Sequence, residues 1–160
     1  NNCGAIAQPF DSFLVLRGLK TLHLRIERHC ANGRKIAHWL KANPRIEKVY
    51  WPGFEDHPGH EIAKEQMDDF GGMIAFDIKG NNLEQAKNLV ASTRLFALAE
   101  SLGGVESLIE HPAAMTHASV PAEIRAELGI SDGFVRLSVG VEDADDLIAD
   151  LDQAIRSTVD

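Results

Sequence analysis

The chain is poor in cysteine, with only Cys3 and Cys30, and neither lies in a C-x-x-C or Cys/His cluster. That excludes a disulfide framework and a thiol-built metal centre, and both residues read as reduced thiols. Positive charge is also scarce: 16 Lys plus Arg stand against 24 Asp plus Glu, a formal net charge of -8. With no Lys/Arg-rich stretch, the chain is unsuited to a phosphate backbone, so no nucleic acid is expected as a partner. Apolar runs fall short of the roughly 18 residues a membrane span needs, and no charged-then-apolar leader opens the chain. Together these absences point away from membranes and toward a cytoplasmic location.

Several catalytic signatures are missing too. Ser101, Ser107 and Ser138 lack a G-x-S-x-G setting, which leaves an acyl-transfer triad without support. No G-x-x-x-x-G-K loop is present to cradle a phosphate. His57-Pro58-Gly59-His60 and the run from His111 to His117 lack the paired spacing and the Cys or acidic partners of a zinc site, so no metal is expected. An initiator methionine is absent as well. The chain opens on Asn1-Asn2-Cys3 and enters a helical pattern almost at once, which reads as a piece of something longer.

What is present is 160 residues at 44% apolar and 25% charged, enough chain for one core. From Asp11 to Ala42 apolar residues recur at helical spacing through Leu19, Leu22, Ile26, Cys30, Gly33, Ile36, Ala37 and Leu40. The pattern predicts one long amphipathic helix, open to a bend at Gly18 and ended by Asn43-Pro44. Strands are expected at 46–51, 73–78, 95–99 and 134–139, with another extended piece at 107–109. Helices are expected at 61–67, at 83–92 with Asn82 as cap, at 121–128, and after Asp143. The interleaving predicts a two-layer α+β fold: a small, mainly antiparallel sheet of about four strands covered by helices, with a long N-terminal helix. The division is residues 1–42 as an extended segment and linking helix, then 43–160 as an α+β substrate-binding domain.

Two segments read as site-building. In the strand at 134–139, Val135, Leu137 and Val139 share one face, and Arg136 shares the other with Ser138. If that face is covered, the guanidinium needs an anionic partner, and its planar fork suits a carboxylate. An exposed face or an internal ion pair fits the spacing equally. At Glu100-Ser101-Leu102-Gly103-Gly104 an apolar run breaks off at an acid, a hydroxyl and two glycines that let backbone approach a ligand closely. A tight turn after a strand fits as well.

Glu100-Ser101-Leu102-Gly103-Gly104-Val105-Glu106-Ser107-Leu108-Ile109, followed by His111-Pro112-Ala113 and Met115-Thr116-His117-Ala118, closely resembles the transsulfuration (Cys/Met-metabolism) family of pyridoxal-phosphate enzymes, of the cystathionine γ-synthase and γ-lyase type. Phe10-Asp11-Ser12-Phe13-Leu14, Leu16-Arg17-Gly18-Leu19, Trp51-Pro52-Gly53, Phe70-Gly71-Gly72-Met73 and Arg136-Leu137-Ser138-Val139-Gly140 extend the likeness nearly end to end.

The resemblance implies the C-terminal domain of a fold-type I, aminotransferase-like enzyme, beginning just after the segment that holds the cofactor. The Schiff-base lysine and the large cofactor domain would then lie upstream. No catalytic and no cofactor-binding residue would belong to this chain, which would be inactive alone. By the same resemblance Arg136 binds the α-carboxylate of an amino-acid substrate and Ser101 helps orient it, partly through its backbone. Glu100, with Leu102 beside it, lies near the distal end of the substrate. The implied reaction is γ-replacement or γ-elimination on O-acylhomoserine with cysteine, or on cystathionine, in a homotetramer that includes the chain's own upstream domain. Cystathionine β-lyase or methionine γ-lyase specificity is the alternative within the fold. From another class, the alternative is a non-catalytic binding or assembly module.

Overall fold

The computed structural model describes residue 4 and residues 6–159; the reading of Cys3 as a reduced thiol lies outside the described residues. Six helices and five strands follow in order: α1 (Pro9–Leu19), α2 (Leu22–Ala42), β1 (Ile46–Tyr50), α3 (His60–Gln66), β2 (Met73–Ile78), α4 (Leu83–Ser92), β3 (Ala97–Leu98), β4 (Leu108–Glu110), α5 (Ala122–Glu127), β5 (Phe134–Ser138) and α6 (Ala144–Thr158). A single 3₁₀ turn at Pro112–Ala114 follows β4.

The sheet has five strands in the order β1-β2-β5-β4-β3, one more than expected. Three of its pairings are antiparallel and one, β3 with β4, is parallel. The fifth strand is the extended piece expected at 107–109, now β4, and beside it runs β3, from the stretch expected at 95–99. β3 pairs over only two residues, because Ala97 and Ala99 donate to the carbonyls of Ser107 and Ile109 before the chain turns into the loop at Glu100.

One face of the sheet carries Ile74, Phe76, Ile78, Ile109, Val135 and Leu137, all buried, and α2, α4 and α6 cover it. This is the alternation expected of strands with one face in a core. Caps fix where two covering helices begin. The Asn82 side chain accepts from the Gln85 N–H, and Asp143 accepts from Asp145 and Asp146, satisfying donors that no helical carbonyl can reach.

The single long helix expected over Asp11–Ala42 is two helices, separated at Lys20-Thr21. The Gly18 carbonyl, which would otherwise continue the ladder, accepts from the Thr21 N–H at 3.3 Å and from Arg25 Nη1 at 2.8 Å. Only the second half of the predicted stripe reaches the core: Cys30, Gly33, Ile36, Ala37 and Leu40 are buried, whereas Leu19, Leu22 and Ile26 are exposed.

Candidate functional site

The other face of the sheet is polar along one row. Tyr50 of β1 stands opposite Ala75 of β2, Ala75 opposite Arg136 of β5, and Arg136 opposite Glu110 of β4. The Arg136 side chain is 22% exposed and ion-pairs with Glu110, whose side chain is 1% exposed. Of the two bland readings of Arg136, the internal ion pair is thus present. It occupies one edge of the guanidinium only. Nη2 also donates to the carbonyls of Glu100 at 2.9 Å and Ser101 at 3.2 Å, while among the described residues Nε and Nη1 make no hydrogen bond. A carboxylate entering from solvent would therefore meet free donors on a fixed planar group.

Side-chain hydrogen bonds hold the loop at 100–107 over β5. The Gly103 N–H donates to Ser138 Oγ at 2.8 Å. Ser107 donates to the Glu142 carboxylate through its N–H at 2.7 Å and its hydroxyl at 2.8 Å, while Ser107 Oγ accepts from the Gly140 N–H at 2.8 Å. Upstream, the buried Asp150 of α6 accepts three successive N–H groups, those of Arg94, Leu95 and Phe96, and so anchors the approach to β3. These bonds bring the backbone of Glu100 and Ser101 to Arg136. Residues Glu100, Ser101 and Leu102 are all exposed. Next to the loop, a hollow lined by Ile26, His29, Gly72, Met73, Gly103 and Ser138 opens toward α2.

Glu110 escaped the sequence reading. Its carboxylate accepts a hydrogen bond from the Thr116 hydroxyl, and Thr116 Oγ1 in turn lies 2.9 Å from His117 Nδ1. Because the hydroxyl proton goes to Glu110, His117 is the donor in the second bond. Two other histidines are also committed locally. His111 Nδ1 accepts from the Ala114 N–H, which makes its Nε2 the donor to the Asp132 carbonyl at 2.9 Å. His60 Nδ1 lies 2.8 Å from the Pro52 carbonyl. Among the described residues no group of three or more His, Cys, Asp or Glu side chains could hold a metal ion.

At the far end of the row, Tyr50 donates to Asp77 at 2.8 Å, and Ser131 donates to the same carboxylate. Burial first, then the hydrogen bond and charge of Asp77, push the Tyr50 hydroxyl up to about 12, so it is a neutral donor at physiological pH. Burial likewise pushes the Cys30 thiol up, away from the thiolate a reactive cysteine needs. Five of the seven lysines are held away from Arg136: Lys35 pairs with Asp145, Lys41 with Asp56, Lys87 with Glu84, Lys79 donates to the Pro44 carbonyl, and Lys48 lies over the Tyr50 ring. Among the described residues, no helix is long and apolar enough to cross a membrane.

The family model described as Cys/Met metabolism PLP-dependent enzyme matches residues 1–156. A cystathionine beta-lyase of Coxiella burnetii is 58% identical over 155 residues, covering 97% of this chain and 40% of that protein. A cystathionine gamma-lyase of Dictyostelium discoideum is 57% identical over 155 residues, with the same coverage. Among solved structures, cystathionine gamma-lyase from Lactobacillus plantarum, complexed with L-serine, superposes with a TM-score of 0.91 at 46% identity, covering 99% of this chain and 42% of that one. The chain thus spans about 40% of the length of the curated relatives it matches. On a match that runs nearly its full length, the chain belongs to the family of pyridoxal-phosphate-dependent enzymes of cysteine and methionine metabolism.

Proposed function

We propose that this chain forms the substrate-carboxylate end of a pyridoxal-phosphate enzyme of transsulfuration, acting by γ-elimination on cystathionine or by γ-replacement on O-acylhomoserine with cysteine. The observation that carries the reading is Arg136. It is a guanidinium on a central strand, partly open to solvent, with Nε and Nη1 free and the Glu100-Ser101 backbone held at Nη2, the same nitrogen that pairs with Glu110. In this reading Arg136 grips the α-carboxylate, Ser101 aligns it through the backbone, and the exposed Glu100 and Leu102 side chains face the distal end of the substrate. An amino acid as ligand agrees with the L-serine named with the similar gamma-lyase structure.

Pyridoxal phosphate needs a lysine amine at its aldehyde and donors around its phosphate. The residues around Arg136 supply neither, and Lys35, Lys41, Lys79 and Lys87 are engaged elsewhere. The group does not fit these residues alone, so we assign no step through it here. Its lysine belongs to an upstream domain, and the 160 residues by themselves are inactive. This chain's own contribution is binding and orientation, which can supply a large part of a rate enhancement when the reacting bond must be aimed. The complete enzyme is a cytoplasmic homotetramer in this reading. The family match supports an enzyme over a non-catalytic module.

Cystathionine β-lyase specificity is the second reading, favoured by the relative from Coxiella burnetii, which is as similar as the gamma-lyase from Dictyostelium discoideum. Products from cystathionine separate the two: γ-cleavage releases cysteine and an α-keto acid, β-cleavage releases homocysteine. The carboxylate assignment is tested by Arg136→Lys in the full-length enzyme, which keeps a positive charge beside Glu110 but removes the fork. KM for the amino acid should rise by about tenfold or more with cofactor absorbance intact. An unchanged KM would overturn the assignment.

A further inference from the structure

We infer that Glu110 is the positioning residue of Arg136, making that arginine selective for a correctly placed amino-acid carboxylate rather than for any anion. The inference rests on the carboxylate reading of Arg136 given above. It starts from the register: Glu110 and Arg136 are direct neighbours across β4 and β5, so the pair is set by backbone pairing rather than by flexible side chains meeting at a surface. On its other side Arg136 has only the methyl group of Ala75, which cannot orient a guanidinium. The remaining contacts are two carbonyls of the 100–107 loop, and these sit on an exposed turn.

Glu110 is itself held. The Thr116 hydroxyl donates to its carboxylate, His117 supports Thr116, and the 3₁₀ turn at Pro112–Ala114 carries the chain from the one to the other. A buried carboxylate braced by Thr116 through Oε1 and ion-paired through Oε2 holds Nη2 in place together with the two loop carbonyls, and leaves Nε and Nη1 without a protein hydrogen bond among the described residues. It also offsets the positive charge of Arg136. A small anion gains little from a neutralised arginine, whereas a substrate held by several groups at once gains from the fixed geometry.

The test is a cycle of Glu110→Gln and Arg136→Lys in the full-length enzyme, with acetate as the simple-anion probe. Glu110→Gln is close to isosteric and removes the charge. It should raise KM for the amino-acid substrate by about tenfold, change kcat by less than about threefold, and strengthen competitive inhibition by acetate. In the Arg136→Lys background the same substitution should change KM by less than about twofold, because a lysine has no fork to orient. Thr116→Val, which keeps the ion pair and releases its brace, should shift KM and acetate inhibition in the same directions by less. If Arg136→Lys raises KM but Glu110→Gln leaves both KM and acetate inhibition unchanged, the inference fails and the carboxylate reading stands. Equal losses from Glu110→Gln in both backgrounds, accompanied by a lower melting temperature, would mean a structural pair and overturn it. An unchanged KM in Arg136→Lys overturns the carboxylate reading itself, and the inference with it.

Discussion

At the scale of single residues, the proposed carboxylate site and the stability of the fold meet in the Arg136–Glu110 pair. Glu110 is almost wholly buried, so removing its counter-charge leaves a largely buried carboxylate without its partner. Arg136→Ala should therefore destabilise the protein by about 3–5 kcal/mol, and adding Glu110→Gln should recover a large part of that loss. Urea denaturation of the two variants checks both, and an Arg136→Ala protein as stable as the parent would show that the pair carries no charge of consequence. Arg136 was legible in the sequence because the period of two puts a cation among apolar neighbours, Val135 and Leu137. Glu110 was not. It ends a three-residue strand too short to show alternation, and only long-range pairing brings it opposite Arg136. The roles of Ser107 and Glu142 were hidden for the same reason, since the 35 positions between them close only when the sheet forms.

At the scale of elements, the site depends on how closely the 100–107 loop approaches the end of β5. A Cβ built on Gly140 would lie 2.4 Å from the Val105 carbonyl oxygen and 2.6 Å from the Ser107 nitrogen, both backbone atoms with no room to yield. The Val141 N–H donates to that same Val105 carbonyl at 3.0 Å, so the loop cannot retreat without losing a bond. Gly140→Ala should cost about 1–3 kcal/mol and loosen the loop over Arg136. Amide hydrogen exchange at residues 99–107 is the measurement, and unchanged protection there would refute the idea that this contact holds the loop. Elements with their own local signals were readable. The helix at Leu83–Ser92 and its Asn82 cap match the expectation, and the strand at 73–78 shows plain alternation. The long helix is interrupted just after the bend admitted at Gly18, and the full separation depends on Arg25 reaching back to the Gly18 carbonyl, which the apolar stripe does not encode.

At the scale of the whole molecule, the described residues divide sharply by what they bury. Beyond Cys30 the apolar residues of α2 enter the core with α4, α6 and the sheet. α1 buries none, and leaves Phe10, Phe13, Leu14, Val15, Leu16 and Leu19 exposed, continued by Leu22, Leu24 and Ile26 on α2. An apolar surface this continuous is unusual on a soluble monomer and marks a face meant to be covered. Its amphipathic signal was legible in the sequence, but the partner that covers it is not encoded in the local pattern. Helical spacing is the same whether the stripe meets this core or another surface. Because α1 adds no buried surface to the core, a chain shortened to residues 22–160 should melt within about 4 °C of the 160-residue chain, the shift expected for a change below about 1 kcal/mol at this size. It should also bind less 8-anilinonaphthalene-sulfonate and sediment closer to a single species, since part of the exposed apolar face is gone. A large drop in melting temperature on truncation would mean that α1 packs on the core in solution, and the division between a self-sufficient α+β unit and an apolar arm awaiting a partner would be wrong.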